Sequence, residues 1–353
     1  MNSNSEDVST SYGNTLQRLF PAIMSAKIRS QNEDFIVNEI PSITPSGSGE
    51  HVWLKLQKSG ENSDWLAGLL ARIAGLKRRD VSYAGMKDRH AITTQWFSVH
   101  LPGKTAPDWS QDLPDSIQLL EEVRHGRKLR LGALQGNQFI LTLRDCQFHD
   151  DASPEQIEQR IKLIREQGVP NYFGQQRFGR NFNNCRSAEA WFSGEFQPKK
   201  RQLQSIFLSS ARAWIFNQIL SQRVADKTWN QAIEGDVFMF TSSKSWFFEH
   251  VTEDIIQRVK DKQLNPTAAL WGAGELASQD AIQVLENQIV LENKVLAQGL
   301  IEHKLRQDRR KLRLFVDDIQ SEWLDQQTLK LSFSLPSGCY ATTILDEIVS
   351  NDT

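Results

Sequence analysis

Apolar and polar residues alternate with a period of two in several stretches of the first half of the chain. Residues 34–40, 52–56 and 94–99 follow this pattern and are rich in β-branched and aromatic side chains, which predicts three strands. Because residues 45–49 (Pro-Ser-Gly-Ser-Gly) favour a turn, we expect the first two strands to form an antiparallel pair. The apolar run 81–84 predicts a short buried strand before residues 94–99.

Other stretches carry apolar residues at every third or fourth position, which is typical of helices that pack on one face. The first of these helices has Asn62, Ser63 and Asp64 as candidate N-caps, and Gly75 provides its stop. The predicted helices cover residues 66–73, 153–168, 201–226, 275–311 and a closing segment at 341–345, and two further strands cover 139–143 and 329–335.

Composition describes an ordinary globular chain. Its 353 residues suggest roughly two domains, and the 39% hydrophobic and 24% charged residues allow a core of ordinary size. The formal net charge of −2 does not indicate a polyanionic partner, so a surface that binds nucleic acid would have to come from local basic patches. A change in composition after Asp150 predicts a domain boundary.

The cysteines and the absence of long apolar runs bear on where the protein works. Cys146, Cys185 and Cys339 are far apart and form no CxxC pair, which argues against a disulfide scaffold or a zinc site and fits a reducing cytoplasm. No apolar run reaches the about 18 residues that a membrane helix needs. Residues 1–10 are polar, do not resemble a signal peptide and are expected to be disordered. We therefore expect a cytoplasmic protein without a membrane segment.

Chemically active side chains are densest between the strands predicted at 81–84 and 94–99. The segment from Gly85 to His90, GMKDRH, places Asp88 among two strong bases and a histidine. Loops between rigid elements commonly hold reactive groups. An aspartate in a loop is also a common turn former or helix cap, and this segment alone favours that interpretation.

Basic residues cluster in the stretches 77–79, 124–130 and 304–313. The middle stretch has four strong bases in seven residues and no acid, which is typical of contacts with phosphates. The first run is equally explained by the dipole of the preceding helix, and the last by a solvated helical face. Residues 170–182 contain four aromatic residues, two arginines and no acid, which suits unstacked bases as well as a loop anchored to the core. From its strand position alone, Phe139 is expected in the core.

Four motifs along the chain resemble the TruD family of tRNA pseudouridine synthases. They are Arg29 with Asp34-Phe35-x-Val37-x-Glu39, Gly85-x-Lys87-Asp88-x-His90-Ala91-x-Thr93-x-Gln95, Pro170-Asn171-Tyr172-Phe173-Gly174-x-Gln176-Arg177-Phe178-Gly179 and Leu335-Pro336-x-Gly338-x-Tyr340-Ala341-Thr342. The motifs follow the family's order from about residue 27 to residue 348, and the second and third are long enough to be highly specific. One departure is Asp346-Glu347 in the closing helix, where an Arg-Glu pair is expected.

The resemblance implies an α+β fold, with a pseudouridine synthase catalytic core, a mixed and largely antiparallel sheet flanked by helices, and an inserted α/β TRUD domain. The core would comprise residues 1–160 and, as a closing strand and helix, residues 312–353. The inserted domain would comprise residues 161–311. The implied reaction is the isomerisation of uridine 13 in transfer RNA to pseudouridine, without a cofactor or metal. Transfer RNA is the implied partner, no protein partner is implied, and a monomer is the default expectation.

The resemblance also assigns roles to residues, and Asp88 matches the essential aspartate. A carboxylate can attack the sugar or remove its 2′ proton, and the sequence leaves both roles open. Arg29 would hold this carboxylate, with Lys87 as the local alternative, and the target base would be flipped out of the RNA. The other implied substrate-binding residues are Phe139, which would stack on the base, Asn137, which would hydrogen-bond nearby, and Gln95, Glu39, Tyr172 and Phe173, which would shape or support the pocket.

Two other hypotheses use the same residues differently. A binding-only relative that remodels transfer RNA would keep the basic and aromatic stretches but would not require Asp88. A hydrolase that pairs Asp88 with Glu39 would release free uracil instead of forming an isomer.

Overall fold

The computed structural model describes Tyr12, residues 16–149 and residues 152–350. The strands are β1 (Met24–Ile28), β2 (Phe35–Pro41), β3 (His51–Ser59), β4 (Val81–Tyr83), β5 (Ile92–His100), β6 (Ile117–His125), β7 (Leu134–Phe148), β8 (Val169–Pro170), β9 (Val237–Phe240), β10 (Trp246–Phe248), β11 (Leu264–Leu270), β12 (Asp308–Lys311), β13 (Arg313–Leu314), β14 (Gln320–Asp325), β15 (Thr328–Pro336) and β16 (Val349–Ser350). The helices are α1 (Ser63–Ile73), α2 (Pro154–Gln167), α3 (Asn183–Phe192), α4 (Arg201–Ala225), α5 (Glu253–Lys260), α6 (Asp280–Glu292), α7 (Lys294–Glu302) and α8 (Ala341–Leu345). The disorder expected for residues 1–10 and the composition boundary at Asp150 fall outside the described residues.

By its contacts, the chain divides into two compact units. The unit that we call the sheet unit comprises Ala22–Glu166, Val316–Cys339 and Ile348–Thr353. The helical unit comprises Met1–Pro21, Gln167–Phe315 and Tyr340–Glu347. The strand β15 therefore belongs to the sheet unit and the helix α8 to the helical unit, and the division into a catalytic core and an inserted domain stays a prediction.

A mixed sheet of ten strands dominates the described part of the sheet unit. Its order is β14-β15-β7-β2-β5-β3-β6, with β1 paired to β7 and β16, and β4 paired to β5. The β2–β5 and β1–β16 pairs are parallel, whereas β7 is antiparallel to β1, β2 and β15. This arrangement confirms the predicted α+β class with a mixed, largely antiparallel sheet.

The antiparallel pair expected between residues 34–40 and 52–56 is wrong, because β5 lies between β2 and β3. β5 runs parallel to β2 and antiparallel to β3. It pairs with β3 at every position from His51 to Ser59, whereas β2 has only seven residues to offer. Pairing with β5 therefore satisfies more backbone hydrogen bonds of β3 than pairing with β2 would, and this outweighs the short sequence separation between β2 and β3.

The helix α1 covers one face of the sheet next to β3 and β5. Its buried residues Leu66 and Leu70 pack with Leu54 and Phe97 in one apolar cluster. The predicted cap is confirmed, because the Asn62 side chain accepts a hydrogen bond from the backbone N–H of Asp64 at 2.8 Å. No helix in the described part of the chain is both long enough and apolar enough to cross a membrane.

In the helical unit, the 25-residue helix α4 forms the centre of an aromatic core. A four-stranded sheet, in the order β10-β9-β11-β12, belongs to the same unit. The predicted helix over 275–311 is wrong in its last part, since α7 ends at Glu302 and residues 308–311 form β12, paired with β11. Lys304, with a backbone φ of 59°, lies at this change of direction.

The basic stretch 304–313 is consequently not a solvated helical face. The Arg309 guanidinium is buried and donates to Glu286 at 2.9 Å, and it also donates to Thr267. The Arg313 side chain is buried as well and donates to the carbonyl oxygens of Gln167 and Val259. Both guanidinium groups thus find hydrogen-bond acceptors inside the helical unit, as a buried charge requires.

Gly136 lies at a close approach between β7 and β15, where an added Cβ would overlap the carbonyl oxygen of Leu335. We expect Gly136→Ala to lower the free energy of unfolding by about 1–3 kcal/mol, because either strand must shift. Urea denaturation measures this loss. Gly126→Ala is the control, since a Cβ at Gly126 meets open space. Equal losses in the two variants would contradict the close approach.

Candidate active site

A single row of side chains crosses five strands of the sheet unit. In the pairing register, Lys58 lies beside Thr93, Thr93 beside Val37, Val37 beside Phe139, and Phe139 beside Phe333. Paired residues share a face, and so do residues two positions apart in one strand, which adds Glu39, Gln95 and Asn137 to this face. The site residues predicted on β2, β5 and β7 therefore lie on the same face of the sheet.

Asp88 lies in the loop between β4 and β5, as its flanking patterns predicted. Its side chain is 49% exposed, and its Oδ2 accepts a hydrogen bond from Arg29 Nη2 at 2.8 Å. Arg29 directly follows β1 and has a backbone φ of 63°. Its guanidinium carbon lies 3.7 Å from the centre of the Phe35 ring. The cation is thus held by a carboxylate and by an aromatic face, which orient it together.

A hydrogen-bond network fixes the main chain of this loop. Ser63 Oγ accepts from the backbone N–H of Lys87 at 3.1 Å and donates to Gln95 Oε1 at 2.6 Å. The Gln95 amide in turn donates to the carbonyl oxygen of Gly85 at 3.1 Å. Gln95 is fully buried, so its amide contacts the loop and not solvent.

Lys87 points into the sheet instead of toward solvent. Its Nζ lies 3.2 Å from Glu39 Oε2 and donates to Asn137 Oδ1 at 2.5 Å. The Lys87 and Glu39 side chains are only 5% and 1% exposed. Burial raises the pKa of Glu39 and lowers the pKa of Lys87, while the opposite charge of each partner counteracts the shift. Lys87 therefore neutralises Glu39, and Arg29 is the cation that hydrogen-bonds the Asp88 carboxylate.

Phe139 packs among other aromatic rings on this face. Its ring is stacked on Phe333, with centres 5.6 Å apart, and lies edge-on to Phe35 at 6.3 Å. The residue is 8% exposed. These contacts give Phe139 a place in the core of the sheet unit, and its stacking on a base stays a prediction.

Tyr172 and Phe173 belong to the helical unit. The Tyr172 hydroxyl donates to the carbonyl oxygen of Gln17 at 2.9 Å, and burial raises its pKa. The main chain of Phe173 exchanges two hydrogen bonds with the Asn217 amide, each 2.9 Å long. The Arg310 guanidinium carbon lies 4.1 Å from the centre of the Phe173 ring. Within the stretch 170–182, the Arg177 guanidinium carbon lies 5.9 Å from the centre of the same ring. The role of Tyr172 and Phe173 at the pocket stays a prediction.

Lys58 and Ser63 belong to the site but were not predicted from the sequence. Lys58 is fully buried, and its Nζ donates to the carbonyl oxygen of Asp88 at 2.9 Å. A signal for Lys58 existed, because it continues the buried alternation of Leu54 and Leu56 along β3. Ser63 carries no comparable signal, since its hydroxyl reads equally well as a helix cap.

The site offers one carboxylate that a ligand can reach directly, with a cation bonded to it. Asp88 is suited to act as a nucleophile or as a base. Glu39 is buried and bound by Lys87 and by the backbone N–H of Trp96, so it is not placed as a second reactive carboxylate. Among the described residues, no group of three or more His, Cys, Asp or Glu side chains could hold a metal ion.

Comparison with known proteins places this chain in a family. The model of the family described as tRNA pseudouridine synthase D (TruD) matches residues 22–197 and 184–348. A protein named tRNA pseudouridine synthase D from Hydrogenovibrio crunogenus is 47% identical over 327 residues, which cover 92% of each chain. A protein of the same name from Nitrosococcus oceani is 43% identical and covers 93% of this chain and 92% of its own. The chain belongs to the TruD family.

A solved structure shares the fold. The putative tRNA pseudouridine synthase D from Methanosarcina mazei superposes with a TM-score of 0.72 and covers 95% of this chain and 96% of its own. Its sequence is only 23% identical to this one. The fold is therefore common to chains that differ at most positions.

We expect Lys87→Met to lower the free energy of unfolding at neutral pH by about 3–5 kcal/mol, because it leaves the Glu39 carboxylate buried without its partner. The folded-state pKa of Glu39 already lies above its ordinary value. The contribution of Glu39 to stability is therefore present at low pH and is lost as the pH rises through the folded-state pKa of Glu39. The deficit of Lys87→Met should be larger at about pH 8 than at about pH 5, as measured by urea denaturation.

The matched control for this prediction is the double variant Glu39→Gln/Lys87→Met. Its amide needs no counter-charge, so part of the lost stability should return and the pH dependence should shrink. Equal unfolding free energies for the single and double variants at both pH values would show that Lys87 does not neutralise Glu39.

Proposed function

We propose that this protein is a tRNA pseudouridine synthase, an isomerase of the intramolecular transferase type, which converts uridine 13 of transfer RNA to pseudouridine through Asp88. The observation that carries the proposal is the half-exposed Asp88 carboxylate, which Arg29 holds at 2.8 Å. Membership of the TruD family and relatives named tRNA pseudouridine synthase D support the substrate class and the reaction.

The reaction needs a carboxylate and no net oxidant or reductant. The bond between C1′ of the ribose and N1 of uracil breaks, the base turns, and C5 bonds to C1′. The proton that leaves C5 balances the one gained at N1, so the product is an isomer. Asp88 serves either by attacking the sugar carbon or by taking the 2′ proton, and both roles need its ionised form.

Arg29 aims the Asp88 carboxylate. Its guanidinium donates to Oδ2, which leaves Oδ1 as the oxygen that can face the ribose. The Phe35 ring under the guanidinium restricts its rotation, so the pair is organised before the substrate arrives.

Asn137 and Phe139 would receive the flipped base. The Lys87 ammonium can only donate, so it binds the Oδ1 atom of the Asn137 amide. This leaves the Nδ2 donor of Asn137 on the other side of the amide. A donor in that position suits a carbonyl oxygen of uracil. Phe139, two residues further along β7 on the same face, would stack on the ring of the base.

Transfer RNA would be the partner, and the basic stretches 77–79 and 124–130 would bind its phosphates. Arg79, Arg127 and Arg130 are exposed in the sheet unit and suit that role. We also propose a monomer that works in the cytoplasm. The three free cysteines support a reducing compartment.

The decisive experiment incubates unmodified transfer RNA with the wild type and with Asp88→Asn and maps pseudouridine at nucleotide resolution. Pseudouridine should appear at position 13, and Asp88→Asn should lose at least about 100-fold in rate while tRNA binding is kept. Asp115→Asn, which removes the same charge from another exposed loop residue, should stay fully active.

Each alternative gives a different result in this assay. A binding-only protein would bind the RNA and form no pseudouridine, and a hydrolase would release free uracil. Pseudouridine at other positions, or product from a transfer RNA with cytidine at position 13, would contradict the proposed site of modification. Full activity of Asp88→Asn would remove Asp88 from the mechanism.

We expect Phe139→Leu to lower the turnover rate about tenfold or more with little change in tRNA affinity, because the flipped base loses its stacking surface. Single-turnover kinetics and a filter-binding assay measure the two quantities. Phe333→Leu is the matched control, since it removes a neighbouring aromatic ring on the same face of the sheet and leaves the Phe139 ring in place. If both variants lose stability alike and neither loses turnover, Phe139 serves only the core.

A further inference from the structure

Lys58 is a lysine in the interior of the sheet unit. It lies near the end of β3, is 0% exposed and occupies the row of side chains that also contains Thr93 and Phe139. A buried ammonium loses its hydration, so lysine is almost never fully buried without a compensating partner. The partners of Lys58 should therefore explain why it is there.

Two backbone carbonyl groups accept hydrogen bonds from the Lys58 ammonium. Its Nζ donates to Glu61 at 2.7 Å and to Asp88 at 2.9 Å. Both acceptors are carbonyl oxygens, so the charge is solvated by main-chain dipoles and is not neutralised by direct pairing with a carboxylate. Stability alone would favour an apolar side chain of similar size at this position.

We propose that Lys58 is a positioning residue, whose charged ammonium fixes the main chain of Asp88 and thereby aims the carboxylate that the reaction uses. This inference rests on the proposed function. The bonds made by Ser63 and Gln95 hold Lys87 and Gly85, whereas Lys58 reaches the main chain of Asp88 itself. With Arg29 on its side chain and Lys58 on its carbonyl group, Asp88 is held at both ends.

The protonation of Lys58 provides a way to separate positioning from a purely structural role. Burial lowers the pKa of Lys58 from 10.5 to about 8. The nearby charges of Asp88 and Glu61 oppose this shift by raising the pKa, whereas the charge of Lys87 lowers it further. Between these two values the unfolded chain binds more protons than the folded chain, so the contribution of Lys58 to stability rises with pH. A neutral amine donates more weakly, so positioning should fail over the same range. Turnover and the contribution of Lys58 to stability should therefore move in opposite directions above about pH 8.

The first test compares Lys58→Met with Lys55→Met in pseudouridine formation on unmodified transfer RNA. Lys58→Met keeps the length of the side chain and removes the donor, and Lys55 lies on the opposite face of the same strand. We expect Lys58→Met to lower kcat about 10- to 100-fold with the Kd for tRNA within about twofold of the wild type. The urea midpoint should be unchanged or higher, and Lys55→Met should keep the wild-type kcat. An unchanged kcat in Lys58→Met would overturn the inference.

The second test is the pH profile of kcat at saturating tRNA. The wild type should lose activity above about pH 8, and the residual activity of Lys58→Met should lack this decline. A wild-type profile without the decline, or the same decline in both proteins, would overturn the proposal. The absence of the decline in the wild type would overturn the proposal even where no variant folds.

Chemical rescue adds a third readout. Lys58→Ala leaves space for a small amine, so ethylammonium should restore kcat, whereas tetramethylammonium, which has charge but no N–H donor, should not. Rescue by neither or by both would contradict a role as a hydrogen-bond donor. Inactive Asp88→Asn with fully active Lys58→Met would reject this inference alone, whereas active Asp88→Asn would reject the proposed function.

Discussion

The register of β7 against β2 and β15 is the constraint on which the site depends. It sets Asn137 opposite Glu39 on β2, and Phe139 opposite Phe333 on β15. Because successive side chains alternate between faces, a slip of one residue would turn all of these groups to the other side of the sheet. Gly136, where only a residue without Cβ fits against β15, falls within the paired segment and penalises such a slip.

Charge is placed at two depths around the loop of Asp88. The Glu39–Lys87 pair is almost fully buried, and its removal from water is compensated only while both partners are present. The Asp88–Arg29 pair is partly exposed, so water screens it in the free protein. A bound nucleotide would exclude that water and strengthen the second pair. The buried charges that hold the loop are thus separate from the partly exposed charges that would meet the substrate under the proposed function.

Features that depend on neighbouring residues could be predicted from the sequence. The helix capped by Asn62 and the loop that carries Asp88 both follow from local patterns. The place of β5 between β2 and β3, and the strand at 308–311, could not be predicted, because their partners are distant in sequence. The candidate site residues follow from sequence motifs. The alternation along β3 indicates that Lys58 is buried, but it does not show that the ammonium meets the carbonyl group of Asp88, which is distant in sequence.

The last strands of the chain complete the surroundings of residues that are made first. β1, which leads into Arg29, pairs with β16, and Phe139 packs against Phe333 of β15. During synthesis, neither partner exists until residues 333 and 349–350 have been translated. Such long-range pairing folds slowly, since distant segments must meet before any contact rewards them. A nascent chain therefore lacks these two contacts until β15 and β16 have been made.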